Sequence, residues 1–219
     1  MRSRFCVIDG EMDRFIQIID GFYADPDALR RKAMQMRFAE PDGYVGWRTR
    51  AYHPRGIKQR IEEKFGVTIT CWEKDLNAIE TCNGVFFKAL SGGRHAETVG
   101  VHYDEPIDWM MLIIYMTPRA PYDTGTSLWQ HRETGLIAAP TRMDARRLGL
   151  SVKMLNQILE RDCRKAKRWR EIDRIGNLYN RAVMIPAGVL HSATSHFGSS
   201  VSNGRLYQTF HFSAQRSRP

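Results

Sequence analysis

Apolar and polar positions change period partway along this chain. Near the N-terminus two short runs, at residues 5–8 and 15–19, read as strands, and a helix then opens at Asp25-Pro26-Asp27. Asp25 can accept from unpaired helix amides, and Pro26 is tolerated at the first helical position. Helical spacing carries that segment to about Phe38 and returns over Ile57–Phe65, where Gly66 supplies a stop. From residue 67 the period falls to two. Strands are predicted at 67–72, 78–82 and 85–90, with a short, fully apolar strand at 110–116. Residues 41–47 form a loop with turn chemistry, followed by Arg48 and Arg50, which read as surface arginines within reach of a site. Ser151 reads as the cap of a helix with Val152, Leu155, Leu159, Cys163 and Ala166 on one face, ending near Gly176-Asn177.

Within this frame one triplet carries chemistry. In an extended segment residues i and i+2 share a side, so His102 and Asp104 point one way and Tyr103 the other. One imidazole and one carboxylate need one more imidazole to become a two-His-one-carboxylate facial triad, the donor set that suits non-haem Fe(II) and leaves coordination positions open. His191 is the choice for that ligand. It follows a short apolar strand and a Pro186-Ala187-Gly188 turn, at the start of the next strand. His196 and His211 are its rivals, with His95 and His131 behind them. His196 lies in a Ser- and Gly-rich stretch and reads as a solvated loop residue. His211 reads as a core group or one supporting the ligands. Residues 205–212 alternate with strand period, placing Arg205, Tyr207, Thr209 and His211 on one face. An arginine and a phenol two residues apart make a clamp for a carboxylate, because the guanidinium fork binds it bidentately and keeps its charge. An internal carboxylate is the competing partner for Arg205.

His-x-Asp, a distal His and an Arg on a late strand, in that order, resemble the 2-oxoglutarate- and Fe(II)-dependent oxygenase superfamily, and more specifically a bacterial branch of it. The resemblance covers roughly residues 83 to 212. Residues 112–118 look like the family's central strand. Residues 123–129 look like its turn-then-strand segment, which usually reads Gly-Gly-x-Leu, with Thr124 standing near the first glycine. The resemblance implies Fe(II) held by His102, Asp104 and His191, and 2-oxoglutarate held at its far carboxylate by Arg205 with help from Tyr207. Dioxygen would be the second cosubstrate, and an unactivated C–H bond of an amino acid, peptide or small metabolite would be hydroxylated. Asp104 favours hydroxylation, since the superfamily's halogenating members lack that carboxylate. Two other readings stay open: a cupin-like metal enzyme that does not use 2-oxoglutarate, and a non-catalytic binding module.

Two helices followed by many short strands predict a mainly β chain with flanking helices, a double-stranded β-helix of the jelly-roll, cupin-like kind. At 219 residues one domain is expected, with residues 1–66 as an N-terminal buttress and 141–177 as a basic helical insert. The formal charge of +9 is uneven, since residues 141–181 hold twelve Lys and Arg against five Asp and Glu. That surface suits an acidic substrate or partner, but the plainer reading is a solvated amphipathic helix packed on the sheet. No nucleic-acid motif accompanies it. Trp47, Trp109 and Trp129 are candidates to line a pocket. The four cysteines show no metal or disulfide spacing, and no stretch approaches a secretory or membrane segment, so the cytoplasm is the expected location. Nothing in the sequence sets an oligomeric state.

Overall fold

The computed structural model describes residues 2–6, 14–40, 46–72, 83–93, 96 and 100–216. The chain is mainly antiparallel β. The strands are β1 (Arg2–Cys6), β2 (Arg14–Ile19), β3 (Trp47–Ala51), β4 (Val67–Trp72), β5 (Val85–Ala89), β6 (Met110–Tyr115), β7 (Thr126–His131), β8 (Trp169–Ile175), β9 (Ala182–Pro186), β10 (His191–Ala193) and β11 (Arg205–Arg216). The helices are α1 (Pro26–Gln35), α2 (Ile57–Phe65), α3 (Arg142–Leu148) and α4 (Val152–Asp162). The strand expected at 78–82 lies outside the described residues.

A large sheet runs in the order β1-β2-β9-β6-β11-β5-β3, with β4 paired to the far half of β11. A small sheet runs β10-β7-β8. Among the described residues these are two separate sheets, not one closed barrel. Side-chain alternation explains how they stack. On β6, Leu112 and Ile114 face α1 and α2 in one core with Phe22, Ile61 and Phe65. Met111, Ile113 and Tyr115 face the other way, toward Leu128 and Ile175 of the small sheet. β9 divides likewise, with Ala182 and Met184 on the helix side and Val183 and Ile185 between the sheets. Each such side chain contributes roughly 1.5–3 kcal/mol on burial, so a one-residue slip of register would be prohibitive.

The helix ends follow the sequence signals. Asp25 accepts from the Ala28 amide at 2.8 Å, and α2 closes at Gly66 with φ 64°. The predicted long helix after Ser151 is a correction: α4 ends at Asp162, and residues 169–175 form β8, paired along the whole of β7. Trp169 and Ile175 are buried at its two ends while Arg170 and Arg174 are exposed, and β7 supplies hydrogen-bond partners that outweigh the helical spacing of the segment. α3 was a further omission, although Thr141 and Asp144 form a capping box readable in the sequence.

The basic segment is a packed brace as well as a solvated face. Leu155 and Leu159 of α4 join Val101, Leu190 and Trp169 in a third core. The Val101 amide donates to the Cys163 carbonyl at 2.9 Å, and Tyr103 Oη donates to Asn156 at 3.2 Å. Val101 and Tyr103 therefore hold α4, while the residues between and after them, His102 and Asp104, look the other way.

Candidate functional site

Backbone pairing builds the site. His102 and His191 form an antiparallel bridge, exchanging both N–H to O=C bonds at 2.9 and 2.8 Å, and the Asp104 amide donates to the Ala187 carbonyl at 2.8 Å. Directly opposed residues in such a pair present their side chains side by side. The two imidazoles stand 4.5 Å apart between ring centres. Asp104 reaches both, with Oδ1 3.8 Å from His102 Nε2 and Oδ2 3.6 Å from His191 Nε2. One ligand atom from each of the three lies within 4.8 Å of the others.

Each imidazole is also pinned from behind. His102 Nδ1 lies 2.9 Å from the Gly100 carbonyl, and His191 Nδ1 lies 2.8 Å from the Val189 carbonyl. A carbonyl oxygen only accepts, so both Nδ1 atoms carry the proton. In the neutral rings both Nε2 lone pairs are then bare and turned toward Asp104, the arrangement that metal-binding histidines use. His191 is buried and His102 is half-exposed, so the cluster is open on one side only. The donor set fits a divalent metal of the Fe(II) type.

Of the alternative ligands, His131 is fully buried elsewhere, against Thr134 and Asp162, and His95 lies outside the described residues. His196 lies in a loop, as expected, but is only partly exposed, and its pKa falls to about 4 through burial and then the charge of Arg205. Neutral there, it adds no charge of its own. His211 shares the inner face of β11, and burial lowers its pKa while nearby Asp104 opposes the change. It lies near Asp104 but is not one of the three.

Arg205 is only 3% exposed. Its Nε donates to the Thr124 carbonyl at 2.7 Å and its Nη2 to the Gly125 carbonyl at 3.1 Å. The Gly125 carbonyl also accepts from Thr194 N at 3.1 Å, just beyond the strand that begins with His191. The guanidinium lies 4.5 Å from the Tyr207 ring centre and 5.5 Å from that of Tyr115. Among the described residues no carboxylate lies within ion-pair distance of it, so the internal acid weighed as its competing partner is absent there. The cation is thus held by two carbonyls, a hydrogen bond with Tyr115 and the ring faces, and its N–H groups outnumber those bonds, so it could also take an anion. Tyr207 serves it chiefly as a platform. Gly125 has no room for a side chain, for a Cβ there would collide with the Ile175 carbonyl. Of the three tryptophans, Trp129 packs in the α4 core and donates to Ser192 Oγ at 2.9 Å.

Three imidazoles, one buried and two partly buried, give the folded state a pH dependence. His191 is lowered to about 4, by burial first and His102 second, with Asp104 opposing; His196 and His211 move the same way. In the unfolded chain these rings take protons near pH 6.5. Between that pH and about 4 the unfolded state binds more protons than the folded one. Stability is therefore complete above pH 6.5 and declines as pH falls. In chelator-treated protein, Tm is expected to drop on the order of 10 °C between pH 7 and pH 4.5. A flat Tm across that window in thermal melts would contradict this assignment.

No protein-family profile matches the chain, and no curated protein matches it. Among solved structures it is similar to HygX from Streptomyces hygroscopicus with nickel and 2-oxoglutarate bound, at 9% identity, over 90% of this chain and 82% of that one, with a TM-score of 0.47. It is similar also to HygX with nickel, 2-oxoglutarate and hygromycin B bound, at 10% identity over the same shares, with a TM-score of 0.44.

Proposed function

We propose that this protein is a non-haem Fe(II)- and 2-oxoglutarate-dependent dioxygenase that hydroxylates an unactivated C–H bond of an amino acid, peptide or small metabolite. The observation that carries the reading is the convergence of His102, Asp104 and His191, with both Nε2 atoms bare and aimed at the shared carboxylate. The two facing sheets are read as the double-stranded β-helix of that superfamily, and the cytoplasm as its place of work. Bound together, Fe(II), 2-oxoglutarate and dioxygen supply the oxidising power that C–H hydroxylation requires.

The chain's own residues supply position and exclusion of water. The Val189 and Gly100 carbonyls fix both imidazole tautomers. Asp104 fills the third protein position, which favours hydroxylation over halogenation. Arg205, buried without a counter-ion among the described residues, takes the far carboxylate of 2-oxoglutarate while Tyr207 keeps its plane. The open side of the cluster, at His102, admits the molecule to be oxidised.

Anaerobic addition of Fe(II) and 2-oxoglutarate is expected to give the visible charge-transfer band of the chelate. Arg205→Gln should raise the 2-oxoglutarate concentration for half-saturation about tenfold or more, since each charge-assisted hydrogen bond is worth ~1.5–3 kcal/mol. A folded protein that binds Fe(II) yet gives no band would turn the reading toward a metal enzyme that does not use this cosubstrate.

A further inference from the structure

A hollow of about 240 Å³ lies between α1, α2 and the link that leads from β3 into α2. Leu29 and Ile57, two of its apolar walls, belong to the core beneath the helices, so it sits on the face of the large sheet opposite the small sheet and His191. Three basic side chains converge on it: Lys32 of α1, Arg55 of the link and Arg60 of α2. Lys32 Nζ stands 5.7 Å from the Tyr52 ring centre, and Arg60 uses Nη1 to donate to the Phe22 carbonyl at 3.3 Å. Among the described residues none of the three cations has an ion-pair partner. The one carboxylate on the lining, Asp25, already accepts from the Ala28 amide as the cap of α1. Tyr23 donates its hydroxyl to Gln208 at 2.7 Å, and burial holds that phenol well above its usual range against the opposing charge of Arg60, so it stays neutral. The lining therefore carries three positive charges against one negative. The amino end of α2 borders the same hollow with no acidic residue in its first turn, which adds to the positive field.

We propose that this hollow is a second binding site, for a small molecule that joins a phosphate monoester to a single flat ring. A phosphate monoester carries about −1.5 to −2 at neutral pH, which matches the excess of two cations, whereas a lone carboxylate leaves one of them unmatched. Arg55 and Arg60 offer paired N–H groups to its oxygens, and Lys32 a point charge. The rings of Tyr23 and Tyr52, with Leu29 and Ile57, give the attached ring an apolar bed. The volume lies just below the usual range for small-molecule pockets, about 300–1,000 Å³, which admits one ring and its headgroup but not a larger ligand. The site stands whether or not the metal cluster binds iron.

The test uses the full chain, treated with chelator so that phosphate meets no metal at His102, Asp104 and His191. Phenyl phosphate, phenyl sulfate and inorganic phosphate are titrated by calorimetry at pH 7.5 and low salt, and amide shifts at Tyr23 and Tyr52 in NMR spectra report the place of binding. Phenyl phosphate is expected to bind about tenfold or more tightly than phenyl sulfate, which carries the same ring and a single charge, and more tightly than inorganic phosphate. Replacing both exposed cations, Lys32→Gln with Arg55→Gln, should weaken phenyl phosphate about tenfold or more, with circular dichroism and Tm unchanged. Equal affinity for the phosphate and sulfate esters overturns the proposal, as does binding that survives in the folded double variant or that shifts amides around Arg205 and leaves Tyr23 and Tyr52 unmoved. Inorganic phosphate that binds as tightly as phenyl phosphate overturns it too, because the rings then play no part. Should the double variant not fold, the three ligands and the amide shifts on the unaltered protein decide.

Discussion

His102→Ala and Asp104→Ala are each expected to lower the affinity for Fe(II) by about 100-fold or more and to abolish the chelate band, with the fold intact. Substitution of groups that merely support metal ligands costs 10–100-fold, so loss of a ligand lies at or beyond the upper end of that range. Neither side chain is part of a core: His102 is half-exposed, and Asp104 is anchored through its backbone amide on the Ala187 carbonyl. Circular dichroism and Tm should therefore match the unaltered protein. His211→Ala, which removes a neighbour of Asp104 and no ligand, should weaken binding less. Metal analysis after dialysis checks the set, and stoichiometric iron retained by both Ala variants would refute the proposed ligand group.

Asp162→Ala is expected to have the largest effect on stability. Its carboxylate is fully buried at the end of α4 and accepts from Arg161 at 3.1 and 2.7 Å and from Lys165 at 3.0 Å, with His131 Nε2 at 3.4 Å. Hydrogen bonds from Arg161 hold its pKa well below the usual carboxylate range despite the opposing effect of burial. Removing it strands His131 in the interior. Breaking a buried ionic group of this kind costs ~3–5 kcal/mol, and ~3 is expected because Arg161 and Lys165 are half-exposed and regain water. That corresponds to roughly 6–12 °C in Tm for a chain of this size. Because α4 braces Val101 and Tyr103, iron affinity should fall with it, which separates this variant from ordinary surface charge changes.

What could be read from the sequence divides along the range of the interaction. Local chemistry was legible. Asp25 and Gly66 bound their helices as their side-chain chemistry requires, and the period of two in 67–72 and 85–90 became β4 and β5 almost residue for residue. His102 and Asp104 shared a side because residues two apart in an extended segment must. Long-range pairing was less legible. The choice of His191 over His196 followed local signals, a Pro-Ala-Gly turn before a strand against a Ser- and Gly-rich stretch, whereas what places His191 beside His102 is the bridge between them, which joins residues 89 positions apart. Residues 169–175 have helical neighbours in sequence and a strand partner in space, and the partner prevailed. The partial burial of His196 near the charge of Arg205 is likewise not announced by its Ser- and Gly-rich surroundings. Nor does the sequence show that Arg48, read as a surface group, stands opposite Phe87 with its guanidinium 5.6 Å from that ring centre.

The bridge between His102 and His191 also sets the order of events in the life of the protein. Its two main-chain bonds belong to the backbone alone, so the spacing of the two imidazoles is set when the strands pair. On the oxygenase reading, a metal ion would meet ligands already placed, and its loading would be a late, reversible step rather than a condition of folding.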